Sequence, residues 1–152
     1  MNEPAVLKRP DWNEYFMSIT DVVARRSTCL RRQVGALIVR DNRILSTGYN
    51  GAPTGARHCL EVGCSREQLG ILSGERHELC RGLHAEQNAI LQAALHGVSV
   101  AHGVFYVTHQ PCVLCAKMIA NLNIGEVVYR GDYPDQLALD ILTEVGVKLT
   151  RF

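Results

Sequence analysis

Apolar residues recur at helical spacing near the start of the chain. Residues 12–23 place aromatic and aliphatic side chains three or four positions apart, which predicts an amphipathic helix ending at about Ser27. Asp11 is the expected N-cap of this helix, and Glu14, three positions later, completes a capping box. The first predicted element of the fold is therefore a helix with one buried face.

The next apolar runs are too short for helices. Residues 34–40 and 44–48 are separated by the polar residues 41–43, which is typical of a β-hairpin. Helical and strand patterns then alternate from residue 84 onward, and such alternation after a hairpin predicts a mixed sheet with helices on both faces. The later predicted elements are a helix from His84 to a stop at Gly97, a strand at 104–108, a helix at 112–122, a strand at 126–129, a helix at 134–145 and a strand at 147–150.

Residues 49–82 show neither period. This stretch is rich in glycine and holds three cysteines and two histidines. A structureless segment of that length inside a compact domain is unusual unless it is functional or pinned. We interpret it as an inserted Gly/Cys-rich loop, held by a bound metal, within a single domain over residues 1–152.

Composition limits the classes of function. A chain of 152 residues with net charge +1 suits one domain and offers no broad basic field for nucleic acid. It has no apolar run of about 20 residues for a membrane helix, and the polar residues 1–10 lack the apolar core of a signal peptide. We expect a cytoplasmic protein without membrane or nucleic-acid partners. Six cysteines in such a protein indicate metal binding or catalysis more than disulfides.

Two short motifs carry the candidate chemistry. Cys112 and Cys115 lie three positions apart in the first turn of a predicted helix, so their thiols share one face and the helix N-terminus favours thiolate. With His84 they supply three zinc ligands and leave one position for water, whose pKa zinc lowers to about 7. Glu86 lies two positions after His84 and would move protons without being a ligand.

Each motif taken singly has an ordinary interpretation. A histidine at a helix start is usually a cap or a surface residue, and a C-x-x-C pair also occurs in redox sites and in structural zinc sites. Both motifs together, each at a predicted helix start, favour a catalytic zinc.

On these residues the chain resembles the deoxycytidylate (dCMP) deaminase family of the cytidine deaminase superfamily, over about residues 22–147. H-x-E together with P-C-x-x-C is the zinc deaminase signature, here at 84–86 and 111–115. The likeness implies a cytidine deaminase-like α/β fold, three-layer α/β/α with a mixed five-stranded sheet. It also implies hydrolysis of dCMP to dUMP and ammonia, which supplies dUMP for thymidylate synthesis. The more specific motifs are V-G-A at 34–36, S-T-G-Y-N-G-A-P at 46–53 and H-A-E-Q-N-A-I at 84–90.

The resemblance also implies contacts with the substrate. Asn50 would hold the sugar 3′-hydroxyl, although Asn-Gly is also a common turn dipeptide. Backbone groups of Ala85 and of residues 109–111 would bind the pyrimidine edge. Tyr133 matches a family tyrosine near the substrate phosphate.

The phosphate site has several candidates at the end of the first helix. Residues 25–31 hold three arginines and a serine hydroxyl, from which we select Arg26 and Ser27. Arginine at a helix C-terminus also complements the helix dipole without binding anything. The sequence leaves open which arginine holds the phosphate.

A second, structural zinc is expected from the remaining cysteines. Cys29 and Cys59 resemble positions that bind such an ion in some members of the family, and this ion would order the loop at 49–82. The alternative is that these residues are ordinary buried thiols. The candidate ligands are Cys29, His58, Cys59, Cys64, His77 and Cys80.

The family likeness brings further expectations. They are a homo-oligomer, in family members commonly a hexamer, and regulation by dCTP, with Mg²⁺, and by dTTP. The alternatives are a deaminase of another cytosine nucleotide or nucleoside, a deaminase of a base in tRNA, and a non-enzymatic zinc module. The low net charge and the Gly-Tyr-Asn-Gly segment argue against tRNA, and Glu86 argues against a non-enzymatic module.

Overall fold

The computed structural model describes residues 7–152. Residues 1–6, on which part of the signal-peptide prediction depends, lie outside the described residues. Outside residues 49–82, the order of helices and strands follows the sequence prediction. The helices are α1 (Trp12–Ala24), α2 (Cys59–Val62), α3 (Ser65–Gln68), α4 (Ala85–Leu95), α5 (Val113–Asn121) and α6 (Gln136–Glu144), and the strands are β1 (Gly35–Arg40), β2 (Arg43–Tyr49), β3 (Val104–His109), β4 (Glu126–Gly131) and β5 (Lys148–Arg151).

The first helix begins as its sequence indicates. The Asp11 side chain accepts a hydrogen bond from the backbone N–H of Glu14, and the Glu14 carboxylate accepts one from the backbone N–H of Asp11. The predicted capping box is thus confirmed, while the helix ends at Ala24, three residues earlier than predicted.

The five strands form one mixed sheet in the order β2-β1-β3-β4-β5. β1 runs antiparallel to β2 and to β3, and β3, β4 and β5 are parallel. Parallel neighbours require a crossover, which α5 and α6 supply. The predicted mixed five-stranded sheet is confirmed.

Helices cover both faces of the sheet. Phe16 and Met17 of α1 pack on one face, against alternate strand residues such as Leu37 and Tyr106. The other face holds the larger core, where α4, α5 and α6 pack against strand residues such as Ile38. Because both faces are covered, the central strands are continuously apolar, and the three-layer α/β/α prediction is confirmed.

The segment at 49–82 is less irregular than its sequence indicates. It contains α2, α3 and a 3₁₀ turn at His77–Leu79, and its first residue, Tyr49, completes β2. Elements of three or four residues are too short to show a period, which is why the sequence pattern does not predict them. No helix between residues 7 and 152 combines the length and apolarity that crossing a membrane requires.

Candidate active site

Two helix starts meet at one end of the sheet. His84 is the N-cap of α4 and Cys112 is the N-cap of α5, both in extended backbone conformation, and Cys115 lies in the first turn of α5. The backbone N–H of His84 donates to the Gln87 side chain at 2.9 Å. α5 follows the carboxyl end of β3, the sheet edge where α/β proteins build their sites.

The three predicted metal ligands come together there. His84 Nδ1 lies 3.4 Å from Cys112 Sγ and 3.4 Å from Cys115 Sγ, and all three atoms lie within 4.8 Å of one another. A tetrahedral zinc ion with usual bond lengths separates a nitrogen and a sulfur ligand by about 3.5 Å. The side chains therefore fit Zn²⁺, and they form the one such group of three among residues 7–152.

Electrostatics favour an anionic ligand at this position. Hydrogen bonding from Cys115, with a further contribution from His84, lowers the pKa of Cys112 to about 4. The same hydrogen bond, together with burial, raises the pKa of Cys115. The hydrogen bond to Cys112 raises the pKa of His84. A thiolate is thus stabilised beside a protonated partner that a cation would replace.

Glu86 lines the same cavity but is not one of the three grouped ligands. Only 5% of this residue is exposed, and burial raises the pKa of its carboxyl to about 7. A carboxyl with such a pKa exchanges a proton readily at neutral pH. Its position suits a general acid and base beside the metal site.

Asn50 lines the cavity and is already engaged with the backbone. Its Oδ1 accepts from the backbone N–H of Val34 at 2.9 Å, and its Nδ2 donates to the carbonyl of Arg32 at 2.8 Å. The side chain thus holds the chain entering β1 at the cavity edge. The predicted contact with a sugar hydroxyl stays a prediction, and Ala85 also lies in the cavity lining.

The predicted phosphate residues separate in the structure. Arg26 is exposed and lies outside the cavity lining. Ser27 is buried outside the lining, and its hydroxyl donates to the carbonyl of Asn50. Tyr133 does line the cavity, where its hydroxyl donates to the carbonyl of Gly74 at 3.3 Å.

Other arginines line the cavity instead: Arg31, Arg32 and Arg66. Arg66 lies on α3, inside the segment that shows no pattern, and a single arginine there carries no sequence signal. Only the folding of residues 49–82 back over the helix starts reveals it.

Most candidates for a second metal site line the same cavity as the first: His77, Cys29, Cys59 and Cys80. The His77 ring packs against His84 at 4.8 Å between centroids. Cys59 is buried, and its pKa is raised by burial and then by Cys80, Cys29 and Cys64 nearby. His58 Nδ1 lies 3.1 Å from the Thr28 hydroxyl. No second group of three ligand atoms at metal-binding distance occurs in the described part of the chain.

Comparison with known proteins adds relatives of established name. A sequence profile of the cytidine and deoxycytidylate deaminase zinc-binding region matches residues 10–130. The deoxycytidylate deaminase of Schizosaccharomyces pombe is 40% identical over 145 residues, which are 95% of this chain and 45% of that protein. The deoxycytidylate deaminase of Mycobacterium phage D29 is 41% identical over 128 residues, which are 81% of this chain and 97% of the phage protein. The chain thus spans less than half of the yeast protein and nearly all of the phage protein.

A solved structure shares the whole fold. It is the crystal structure of dCMP deaminase from cyanophage S-TIM5 in complex with dCMP and dUMP. The two chains are 31% identical and superpose with a TM-score of 0.80, over 95% of this chain and 99% of the phage chain.

Proposed function

Because the chain belongs to the cytidine and deoxycytidylate deaminase zinc-binding family, we propose that it hydrolyses dCMP to dUMP and ammonia. The observation that carries this proposal is the grouping of His84, Cys112 and Cys115 at two helix starts, with the buried carboxyl of Glu86 in the same cavity. Such an arrangement holds a catalytic zinc and places an acid/base group beside it.

The residues divide the chemistry between them. His84, Cys112 and Cys115 would hold Zn²⁺, which when bound supplies a water that is reactive at neutral pH. Glu86 would accept one proton from the attacking water and deliver it to N3 of the cytosine while the water oxygen bonds to C4. Glu86 then transfers the second proton to the 4-amino group, the C4–N bond breaks, and ammonia leaves.

A substrate panel tests the proposal directly. Deamination of dCMP, CMP, dCTP, deoxycytidine and a short cytosine-containing single strand is followed by ultraviolet absorbance at equal enzyme concentration. We expect the highest kcat/KM with dCMP. A higher value with another nucleotide or nucleoside would move the substrate assignment, and a higher value with the strand would favour the nucleic-acid alternative. No deamination of any substrate by zinc-loaded protein would favour the non-enzymatic module.

We also propose a second, structural zinc near Cys59, supported by the proximity of Cys29, Cys64 and Cys80 to its thiol. These sulfur atoms would have to rotate toward a common centre to bind an ion. Metal analysis should then give two zinc ions per chain, falling to one in Cys59→Ala. One zinc in both proteins would refute the second site.

The proposed assembly and regulation concern the surface. Leu91 and Leu95 of α4 are 51% and 82% exposed, and apolar residues at such exposure support the proposal of a homo-oligomer, a hexamer by family likeness. dCTP with Mg²⁺ as activator and dTTP as inhibitor are proposed from that likeness alone. Light scattering of the purified protein, and rates measured with each effector, test these proposals. A monomer at micromolar concentration would contradict the first, and unchanged rates the second.

A further inference from the structure

Two arginines that line the catalytic cavity each have a buried guanidinium nitrogen without a hydrogen-bond partner. These nitrogens are Nη1 of Arg31 and Nε of Arg66, and neither atom has a partner among residues 7–152. Both arginines line the cavity that contains His84 and Glu86, and Arg66 is only 8% exposed. A buried charged donor without an acceptor is costly, so such a group in a cavity wall indicates a ligand that supplies the acceptor.

Each arginine is held in place by another of its three guanidinium nitrogens. Arg31 Nη2 donates to the carbonyl of Ile71 at 2.6 Å, and Arg66 Nη1 donates to the carbonyl of Glu75 at 2.7 Å. Both acceptors belong to the segment at 71–75, so one short loop orients both side chains. Because carbonyls are neutral, these contacts fix the geometry without balancing either charge.

The cavity carries an excess of positive charge. Neither Arg31 nor Arg66 forms an ion pair with a carboxylate in the part of the chain that the structure describes. Arg32 also lines the cavity, with its guanidinium carbon 5.9 Å from the centroid of the Tyr133 ring. Glu86 is the one acidic side chain among the described residues of this lining. Three arginines against the Glu86 carboxyl and the Cys112 thiolate leave a net positive charge, which favours an anionic ligand.

Resting on the function proposed above, we propose that Arg31 and Arg66 bind the 5′-phosphate of the nucleotide and set the preference for nucleotide over nucleoside. A phosphate monoester offers several acceptor oxygens to two guanidinium groups at once, a match that arginine makes better than lysine. Nη1 of Arg31 and Nε of Arg66, which have no acceptor in the structure, would donate hydrogen bonds to this phosphate. The assignment replaces Arg26 and Ser27, which lie outside the cavity lining.

Four variants separate the candidates: Arg31→Gln, Arg66→Gln, Arg26→Gln and Arg57→Gln. Arg57 is the matched control, because it lies in the same 49–82 segment and its side chain is 72% exposed. For each protein, kcat and KM are measured with dCMP and with deoxycytidine, after zinc content and melting temperature are checked.

We expect Arg31→Gln and Arg66→Gln to lower kcat/KM for dCMP by about 10- to 100-fold, mainly through KM, because each loses a charge-assisted contact. Their kcat/KM for deoxycytidine should match that of Arg57→Gln. Unchanged KM for dCMP in both variants would overturn the proposal, as would a loss confined to Arg26→Gln.

Two further measurements keep the result decisive. If Arg66→Gln does not fold, Arg31→Gln and the conservative Arg66→Lys decide, and Arg66→Lys should retain part of the dCMP preference through its charge. Binding of dUMP and of inorganic phosphate, measured by calorimetry, reports on the arginines without turnover. Loss of dUMP affinity in Arg31→Gln supports the site even if wild-type protein deaminates nothing, and the proposed function alone would then fail.

The substrate panel described under the proposed function, repeated with the arginine variants, distinguishes a site for a free nucleotide from a site for a nucleic-acid strand. A monoester site predicts that wild-type protein prefers dCMP to cytosine within a short oligonucleotide, and that the arginine variants lose this preference. The proposal would be overturned if the wild type preferred the oligonucleotide and the arginine variants lost kcat/KM equally for the oligonucleotide and for dCMP. The arginines would then be assigned to binding a nucleic-acid backbone.

Discussion

Glu86 shows how burial sets the chemistry of a single residue. Its carboxyl is taken out of water at the start of α4, and the resulting pKa of about 7 lies near neutral pH. An ordinary exposed glutamate would be ionised there and would be a poor proton donor. The H-x-E spacing predicts the residue, and the fold supplies the buried environment that raises the pKa of its carboxyl.

Glu86→Gln should abolish proton transfer while leaving the metal ligands in place. We expect kcat for dCMP to fall by about 10²- to 10⁴-fold, because glutamine cannot carry a proton. Zinc content, measured by metal analysis, should equal that of the wild type. Turnover at the wild-type rate by a zinc-loaded variant would exclude the assigned role.

His109 links stability to pH. The pKa of its imidazole is lowered by burial and then by the nearby charges of Arg32 and Arg130. The folded state therefore binds fewer protons than the unfolded state between this lowered pKa and about 6.5. The stabilisation from neutral His109 is complete above about pH 6.5 and is lost as the pH falls through the folded pKa.

Urea unfolding at several pH values checks this linkage. The difference in unfolding free energy between wild type and His109→Gln should shift in favour of the variant between pH 7.5 and pH 5, because only the wild type carries this imidazole. Other titrating groups are common to both proteins and cancel in the difference. A difference that does not change with pH would contradict the prediction.

At the scale of elements, the active site depends on the close contact of β2 with α4. A Cβ atom placed on Gly48 would lie 2.2 Å from the carbonyl oxygen of Ala85 and 2.3 Å from the backbone nitrogen of Ala89. Only glycine lets the strand approach the helix that carries His84 and Glu86. Asn88 strengthens the same contact by donating to the carbonyl of Tyr49 at 2.8 Å.

Gly48→Ala should therefore be strongly destabilising. The clash is with backbone atoms that cannot rotate away, so we expect a loss near the upper end of overpacking effects, about 3 kcal/mol. Gly125→Ala is the matched control, because its added Cβ would meet its nearest neighbour at 3.7 Å. Denaturant unfolding measures both, and equal stability of the two variants would contradict the assigned contact.

At the scale of the whole molecule, the proposed metal site joins distant parts of the chain. Its proposed ligands lie at the starts of α4 and α5, and β3 lies between those helices in the sequence. An ion bound by both helices binds the folded state and not the extended chain, so it stabilises the fold as a whole. The site and the larger core are thus coupled.

Removal of zinc by a chelator should lower the melting temperature, by on the order of 10 °C for a chain of this size. Added Zn²⁺ should restore it, and added Mg²⁺ should not. The variant Cys115→Ser should show no such response, whereas Glu86→Gln should respond as the wild type does. A melting temperature that is unchanged after complete zinc loss would contradict the coupling.

The features that the sequence determined by itself are local ones. Helix and strand periods, the capping box at Asp11, and the spacing of Cys112 and Cys115 depend on residues a few positions apart. For this reason they identified the mixed α/β fold and the family, and they selected the three residues proposed as metal ligands, without knowledge of the chain path. Helix ends were less well determined, as in α1, because they depend on what packs next to them.

The tertiary structure alone decided which distant residues share the cavity. Arg66 and Arg31 both donate to the loop at 71–75, while Arg26 is exposed and lies outside the lining of the cavity. The side chain of Asn50 proved to hold the backbone of Arg32 and Val34. These outcomes follow from how residues 49–82 fold across the helix starts, and contacts between residues far apart in the chain leave no period or spacing in the sequence.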